Sequence, residues 1–276
     1  MTGPVQSNTS PRARWITAIQ GLRAVSFLAI FVSHSGLGQF GCLGAWGVSV
    51  FLVMSGFLMA YQYLQKQESP AFGLAFVSKK LKALYPLHIA TMLAKLPIAL
   101  SDVLGGTLSA TALVVAVVLN VGMVQVWVPW EQMYSALNGP SWFMCVIALA
   151  YLLFPLLLKV LRKMTSVRSA ILLLAVFLGV HLFASLASYA LLGSGAEEEI
   201  AQWVTYYFPP VRCCDFAIGC ILGWLYLRNA AQERSERPAA VQAFAQAACL
   251  ALIAASMLLY AEGSILLGSA PLRYSL

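Results

Sequence analysis

Long runs without a fixed charge are the feature that most limits what this chain can fold into. The 42 residues between Arg23 and Lys66 include no Asp, Glu, Lys or Arg. Similar charge-free runs extend from Asp102 to Glu131, Glu131 to Lys159, Arg168 to Glu197 and Arg237 to Glu262. A helix needs about 20 apolar residues to cross a bilayer. The repeated runs therefore predict a polytopic membrane protein.

The composition excludes a soluble domain of this size. Apolar residues make up 61% of the 276 residues, and only 10% are charged, as 17 Lys+Arg and 10 Asp+Glu. Soluble domains carry about 25% charged residues. The formal net charge of +7 is typical of lysine and arginine retained in cytoplasmic loops. We therefore expect the lipid bilayer, and no nucleic acid, as a partner.

Eight apolar segments are candidate spans, separated by short turns rich in Gly, Pro, Ser and Asn. They cover residues 16–36, 42–63, 86–104, 108–128, 141–161, 170–192, 211–227 and 241–260. The alternation of β-barrel strands is absent, and helices satisfy every backbone polar group within lipid. The prediction is an all-α, polytopic transmembrane helix bundle with about eight apolar segments, of which seven or eight cross.

Basic residues predict the orientation of these segments. Arginines in residues 1–15 make this stretch a cytoplasmic N-terminal tail, and the other basic clusters occupy loops 64–85, 159–168 and 228–237, which the positive-inside rule also places in the cytoplasm. Residues 16–276 then form a single membrane domain, multi-pass in the plasma (inner) membrane.

This orientation requires an odd number of crossings between 64–85 and 159–168. Segments 86–104 and 108–128 cannot both cross fully, so one is expected to be re-entrant or interfacial. The segment with Lys95 and Asp102 is the weaker span by composition, although the sequence does not settle which of the two segments fails to cross fully.

Arg23 and His34 are the ionisable residues of the first span. Residues 11 apart differ by about 1100° around a helix, so the two share a face and lie about 16 Å apart along the axis; Gln20 and Phe27 are on the same stripe. Charged groups within a span are costly and indicate function. An arginine in the cytoplasmic half suits a large anionic donor, and a histidine at the outer end suits a general base for a hydroxyl nucleophile. The alternative is an arginine that snorkels and a histidine that marks a helix end.

Five ordered motifs resemble those of the acyltransferase 3 family. The stretch Ile19–His34 resembles "LDGLRGIA…H", with the same spacing from Arg to His. The other four resemblances are Gly47–Leu58 to "GVDLFFVLSGFL", Phe76–Leu87 to "F…RxxRIYPLY", Pro140–Pro155 to "PLWSLSVEEQFYLLFP", and Arg212–Gly219 to "RLFEFLLG". The family consists of integral membrane enzymes that move acyl groups, often acetyl, from acyl-CoA to sugars and other cell-envelope acceptors.

The resemblance implies O-acetylation of a polysaccharide or similar acceptor, with acyl-CoA as the donor substrate and no permanently bound cofactor or metal. It implies catalytic roles for His34 and Arg23, and it raises Lys79, Lys80 and Lys82 as ligands of the coenzyme A phosphates. Structural or substrate-lining roles are assigned to Gln20, Ser55, Trp142, Arg212 and Asp215.

Departures from the family pattern limit this assignment. Ser49 replaces the usual Asp of the second motif, and Ile147 replaces the usual Glu of the fourth. In the third motif, Lys80 stands in the place of the first Arg and Ala83 in that of the second. Lysine binds phosphate as a point charge, whereas arginine binds it through two parallel hydrogen bonds. The chain also offers about two segments fewer than the ten common in the family. Either a compact variant or a chain truncated at its C-terminus would explain that.

Several residues have a structural interpretation beside the functional one. Ser55 is a candidate nucleophile, but small residues in spans usually permit close helix packing. Arg212 and Asp215, three residues apart, are expected to pair on one helix face. His88 and His181 have no spaced partner and are expected to be packed or interfacial.

Two alternatives to acyl transfer remain open. Intramembrane Arg and His also occur in transporters, so a transporter or flippase of an envelope precursor is one alternative. An inactive acyltransferase remnant is the other.

Overall fold

The structure is a computed structural model that describes residues 11–35, 42–66, 70, 72–195 and 197–232. It consists of helices joined by short turns, and no strand occurs in these ranges. The helices are α1 (Pro11–Ser33), α2 (Cys42–Leu64), α3 (Leu74–Leu81), α4 (Tyr85–Leu104), α5 (Ala110–Val121), α6 (Glu131–Ser135), α7 (Trp142–Lys163), α8 (Val167–Gly193), α9 (Glu198–Gln202) and α10 (Pro209–Gln232). The predicted all-α class is confirmed for this part of the chain.

Within the described residues, five stretches are long and apolar enough to cross a membrane. They are Leu43–Leu64, Tyr85–Leu104, Gly139–Lys163, Val167–Gly193 and Glu198–Asn229. The apolar stretches Ile19–Ser33 and Ala110–Val121 are shorter. The count of eight segments is not confirmed, and the predicted span 241–260 lies outside the described residues.

The shorter of the two helices is α5, whereas the composition made 86–104 the weaker span and left open which of the two does not cross fully. The 20 residues of α4 are enough to span, but the 12 residues of α5 extend only about 18 Å at 1.5 Å per residue, against a hydrocarbon core of about 30 Å. The hydroxyl of Tyr85, at the start of α4, donates to the carbonyl of Val121, at the end of α5, at 3.0 Å. The helix α5 therefore folds back along α4. Lys95 and Asp102 are both exposed on α4.

The helices α2 and α10 pack closely and run parallel. Gly56 of α2 lies against the backbone of Phe216, and Gly219 of α10 lies against the backbone of Val53. A Cβ atom at either glycine would collide with the facing carbonyl oxygen. Small residues at these positions therefore let the two backbones approach, as expected for the Ser-Gly-Phe segment.

The third parallel helix, α7, completes the core. Phe51 of α2 packs edge-on against Phe143 at 5.7 Å, and Tyr63 packs against Phe154 at 5.4 Å. Phe154 also packs edge-on against Phe216 of α10 at 6.1 Å. The side chains at the centre of these contacts are almost fully buried, so the three parallel helices form one hydrophobic core.

The parallel arrangement gathers basic residues at one end of the bundle, which we call the basic end. Arg162 donates to the carbonyl of Lys66 at 2.7 Å, and Arg228 donates to the carbonyl of Thr165 at 2.5 Å. Loops 64–85, 159–168 and 228–237, which are predicted to share one side of the membrane, therefore start at the same end of the bundle. α8 leads away from this end to the acidic residues 197–199 at the opposite end, which we call the acidic end.

Buried amides join the α4–α5 hairpin to the start of α7. Asn120 donates to the carbonyls of Ala116 and Met133 at 2.8 and 3.1 Å. Gln125 donates to the carbonyl of Ser141 at 3.3 Å. Nε2 of His88 lies 2.9 Å from the carbonyl oxygen of Asn120, so His88 is packed, as predicted. These bonds hold the hairpin against the bundle, since an unpaired polar group buried there is costly.

Candidate active site

Arg23 lies over an aromatic ring of the neighbouring helix α2. Its side chain is half-buried, and its Cζ atom lies 5.2 Å from the centre of the Phe51 ring on α2. Tyr151 of α7 is within electrostatic range of the same guanidinium. A cation over an aromatic face is stabilised by about 0.5–1 kcal/mol at exposed sites, and by more when it is desolvated. Arg23 therefore contacts α2 through the Phe51 ring.

His34 lies in the turn that follows α1, with an exposed side chain. Its Nδ1 atom is 2.8 Å from the carbonyl oxygen of Ile30. A carbonyl oxygen only accepts hydrogen bonds, so Nδ1 carries the hydrogen in this contact. The neutral imidazole then keeps its lone pair on Nε2, which is the form a general base needs.

Arg23 and His34 were predicted on one stripe of the first span, but their side chains do not share a pocket. Gln20 is exposed and Phe27 is 65% exposed, whereas Ser26 and Ala29 form the buried face of the helix. Gly47 of α2 packs directly onto that buried face. Arg23 lies at the edge of the contact with α2, while His34 is about 16 Å further along the axis. The structure keeps the two side chains apart.

The lysine cluster separates into two groups. Nζ of Lys80 lies 4.8 Å from the ring centre of Tyr63 and 5.6 Å from that of Phe76. Lys79 and Lys82 are exposed and line a cavity of about 750 Å³ between α3, the start of α4 and the end of α5. We call this cavity the lysine cavity. Its other lining residues are Leu74, Val77, Ser78, Leu81, Tyr85, Pro86, Val121 and Met123.

The hydroxyl of Ser55 is hydrogen-bonded within its own helix. Its hydroxyl donates to the carbonyl of Phe51, four residues earlier, at 2.8 Å. The adjacent Gly56 forms the close contact with α10. This environment favours the packing interpretation of Ser55 over the nucleophilic one.

Arg212 and Asp215 form the ion pair that their spacing predicted. Nη1 of Arg212 lies 3.0 Å from Oδ2 of Asp215, and both side chains are nearly buried. Two partners come from other helices. Nη2 of Arg212 donates to the hydroxyl of Ser49 on α2 at 3.0 Å, and Nε2 of His181 on α8 lies 3.1 Å from Oδ1 of Asp215. The sequence shows no spaced partner for His181, and no helical spacing connects it to Asp215.

Trp142 belongs to an aromatic layer beside this ion pair. Its ring centre lies 5.0 Å from Tyr206 and 5.3 Å from Tyr207. The guanidinium of Arg212 also lies over the Tyr206 ring, with its Cζ atom 5.5 Å from the ring centre. The tryptophan of the fourth motif therefore supports the Arg212 site through Tyr206.

A second cavity, of about 700 Å³, opens near the acidic end. It is formed by the start of α5, by α6 and by α9. The carboxylate of Glu199 accepts a hydrogen bond from the backbone N–H of Glu131, at the first residue of α6. Burial raises the pKa of the Tyr134 hydroxyl, and the negative charges of Glu199 and Glu131 raise it further. Tyr134 therefore stays protonated and neutral beside this cavity.

Comparison with known proteins bears on all of these residues. A family model described as an acyltransferase domain, of type 3, matches residues 16–272. "Acyltransferase MdmB" of Streptomyces mycarofaciens is 27% identical over 236 residues, which cover 79% of this chain and 59% of that protein. The chain thus spans about three fifths of the length of this curated relative. No solved structure matches the chain.

Proposed function

This chain belongs to the acyltransferase 3 family, and we propose that it transfers an acyl group, typically acetyl, from acyl-CoA to a hydroxyl of a carbohydrate or other envelope molecule. The observation that carries the proposal is the state of His34. Its Nδ1 is bonded to a backbone carbonyl at 2.8 Å, so Nε2 is the nitrogen that accepts a proton. The helix that precedes His34, α1, carries Arg23, the half-buried cation of the family motif.

The lysine cavity is the proposed entrance for the donor. Lys79 and Lys82 offer two positive charges at its wall, and the rest of the wall is mostly apolar. Coenzyme A combines phosphate groups with a long, weakly polar arm, so charged and apolar walls in one cavity match both of its parts. Lysines hold phosphates as point charges. Lys80 is proposed to shape this region through its contacts with Tyr63 and Phe76.

In the proposed reaction, Nε2 of His34 removes the proton of the acceptor hydroxyl. The acceptor oxygen attacks the thioester carbonyl carbon, the new C–O bond forms, and the C–S bond breaks. The coenzyme A thiolate leaves and recovers a proton, so the products are an acyl ester and free coenzyme A. Arg23, between the basic end and His34, is proposed to hold the donor by its positive charge. Transfer through an acyl-enzyme intermediate is an alternative to this direct route.

The test is the turnover of His34→Ala in membranes supplied with radiolabelled acetyl-CoA and crude envelope glycans. Removal of a general base typically lowers the rate by about 10²–10⁴-fold, so acceptor labelling should fall by that factor at unchanged protein level. The matched control is Ser35→Ala, since Ser35 is the exposed neighbour in the same turn. Labelling like that of the wild type in His34→Ala would remove this residue from the mechanism. An acceptor left unlabelled by the wild type would contradict acyl transfer and favour a transporter.

A further inference from the structure

The cavity near the acidic end has the chemistry of a saccharide site, and we call it the acceptor groove. The residues that line it are Ser109, Thr111, Ala112, Val115, Trp130, Glu131, Gln132, Met133, Ser135 and Glu199. They come from the start of α5, from α6 and the residue before it, and from α9. Most of them are polar, in contrast to the lysine cavity, whose lining is mainly apolar.

Trp130 supplies a flat apolar surface within this polar lining. Its side chain is 63% exposed, although tryptophan is one of the largest apolar residues. It directly precedes α6 in an extended conformation, with φ −122° and ψ 115°. Exposed tryptophans near the ends of spans commonly form an interfacial belt, but Trp130 also lines a cavity together with polar side chains, and this position suits a ligand with an apolar face of its own. The C–H face of a pyranose ring fits this surface through dispersion and weak C–H contacts.

Carboxylates and amides around Trp130 match the hydroxyl groups of such a ring. Ionised Glu131 and Glu199 are hydrogen-bond acceptors only, and the Gln132 amide both donates and accepts. Only one oxygen of Glu199 is used by the N–H of Glu131. Hydroxyl-to-carboxylate hydrogen bonds are roughly twice as strong as neutral ones. The two carboxylates also give the groove a negative field, which disfavours phosphates and acidic sugars.

The helix α5 separates this groove from the lysine cavity. Ala112 near its start lines the groove, and Val121 at its end lines the lysine cavity. Val115 also lines the groove, so the lining residues of the two cavities are separated along α5 by six to nine positions, or about 9–14 Å. The two cavities thus lie at opposite ends of one short helix and carry charges of opposite sign. A phosphate-bearing donor and a neutral polyhydroxylated acceptor would be sorted by this difference.

We infer that the acceptor groove binds the ring of a neutral glycosyl acceptor, with Trp130 as the stacking surface and Glu131 and Glu199 as partners of its hydroxyls. The inference rests on the proposed function for its biological meaning, but the binding itself requires no acyl-CoA. It adds a specificity: neutral hexosides bind, and uronic acids are repelled by the carboxylates.

Saturation-transfer NMR on the full chain in lipid nanodiscs tests this inference without any donor. The probes are the methyl glycosides of glucose, galactose, mannose and N-acetylglucosamine, with methyl glucuronide as the acidic comparison. The neutral glycosides should bind, and the glucuronide should bind at least tenfold more weakly. Trp130→Ala and Glu199→Gln should each raise the Kd at least tenfold; the Gln side chain still accepts the α6 N–H, so the fold is preserved.

Matched variants control for general damage. Trp127 is another exposed tryptophan, 42% exposed, that does not line the groove, and Glu198 is the neighbour of Glu199 on α9. Trp127→Ala and Glu198→Gln should bind like the wild type, and thermal unfolding verifies that all variants fold.

Three results would overturn the inference: no binding of any neutral glycoside, equal binding of the glucuronide, or undiminished binding in Trp130→Ala. Binding in His34→Ala separates the two proposals. Unchanged glycoside binding with lost acylation supports both, whereas unchanged acylation in His34→Ala contradicts only the role of His34.

Discussion

At the residue scale, the lysines of the third motif show how position decides what a charge can do. Lys79, Lys80 and Lys82 are basic residues of one predicted loop, and Lys80 stands where the family motif has its first Arg. In the structure Lys80 covers the rings of Tyr63 and Phe76, while the other two line the lysine cavity. A cation on an aromatic face contributes to packing, so only Lys79 and Lys82 remain as proposed ligands of a phosphate.

This difference predicts unequal effects on donor binding. We expect Lys79→Ala combined with Lys82→Ala to raise the KM for acetyl-CoA about tenfold with a smaller change in kcat, because the lost charges bind the ground state. Lys80→Met keeps an apolar chain over the two rings and should leave the KM within about twofold. Steady-state kinetics on membranes checks both variants. An equal rise in the KM for Lys80→Met would mean that all three lysines bind the donor.

The Arg212 site shows which residue contacts were predictable. The pair with Asp215 follows from i,i+3 spacing on one helix. Ser49 lies 163 positions away from Arg212 and contacts it only through the packing of α2 on α10. Ser49 stands where the second family motif has Asp, and the carboxylate beside Arg212 is that of Asp215, at the acidic position of the fifth motif. His181, on α8, approaches Asp215 in the same way, and no sequence signal identifies it.

At the element scale, the close contact between α2 and α10 depends on two glycines in recognisable motifs. Gly56 and Gly219 face the backbone of the opposite helix, with no room for a Cβ atom. Backbone atoms cannot move aside as a flexible side chain can, so larger residues would force α2 and α10 apart. Since α10 carries Arg212 and α2 carries Ser49, this separation would also open the ion-pair site.

Gly219→Ala is therefore expected to destabilise the bundle. Overpacking typically costs about 1–3 kcal/mol, which should appear as a lower Tm in detergent or nanodiscs. The matched control is Gly179→Ala on α8, where a Cβ would meet nothing within 4 Å. That variant should keep or slightly raise the Tm, because Ala favours helix over Gly by about 1 kcal/mol. Equal Tm values for the two variants would show that the α2–α10 contact accommodates an additional methyl group.

The α4–α5 hairpin is the element that sequence reasoning assigned least well. Composition identified 86–104 as the weaker span because of Lys95 and Asp102, yet α4 keeps its full length and α5 ends after 12 residues. Val121 is followed by Gly122 and by Met123, which has a positive φ of 53°. A helix cannot continue through that conformation. The apolar run 108–128 predicted a span, but its second half forms turns instead.

At the scale of the whole molecule, the two ends of the bundle differ in charge. The basic end holds the lysine cavity, and the acidic end holds the acceptor groove. The positive-inside rule predicts that the basic end is cytoplasmic and that the acidic end lies outside. The proposed function assumes that acyl-CoA enters at the basic end. This orientation is the premise of transfer across the bilayer.

Single-cysteine labelling measures this orientation directly. Ser78 lines the lysine cavity and Gln132 lines the acceptor groove, and both are exposed. On intact cells, a membrane-impermeant maleimide should label Gln132→Cys and should label Ser78→Cys only after permeabilisation. The wild-type chain, with its 6 native cysteines, gives the background. The reverse pattern would invert the topology and place the lysine cavity outside.

The sequence by itself determined the membrane setting, the helical class and the family, because these depend on composition, on run length and on motifs read along one chain. It also singled out Arg23 and His34, since a charge within an apolar run is rare enough to be informative. Only the tertiary structure decided which lysines face a cavity, which residues join Arg212 and Asp215, and where the acceptor groove lies. Helices that are apolar on every side carry no stripe to mark the face that packs. The rotation and depth of each helix are therefore set by contacts between distant segments, such as Gly56 with Phe216 and Glu131 with Glu199.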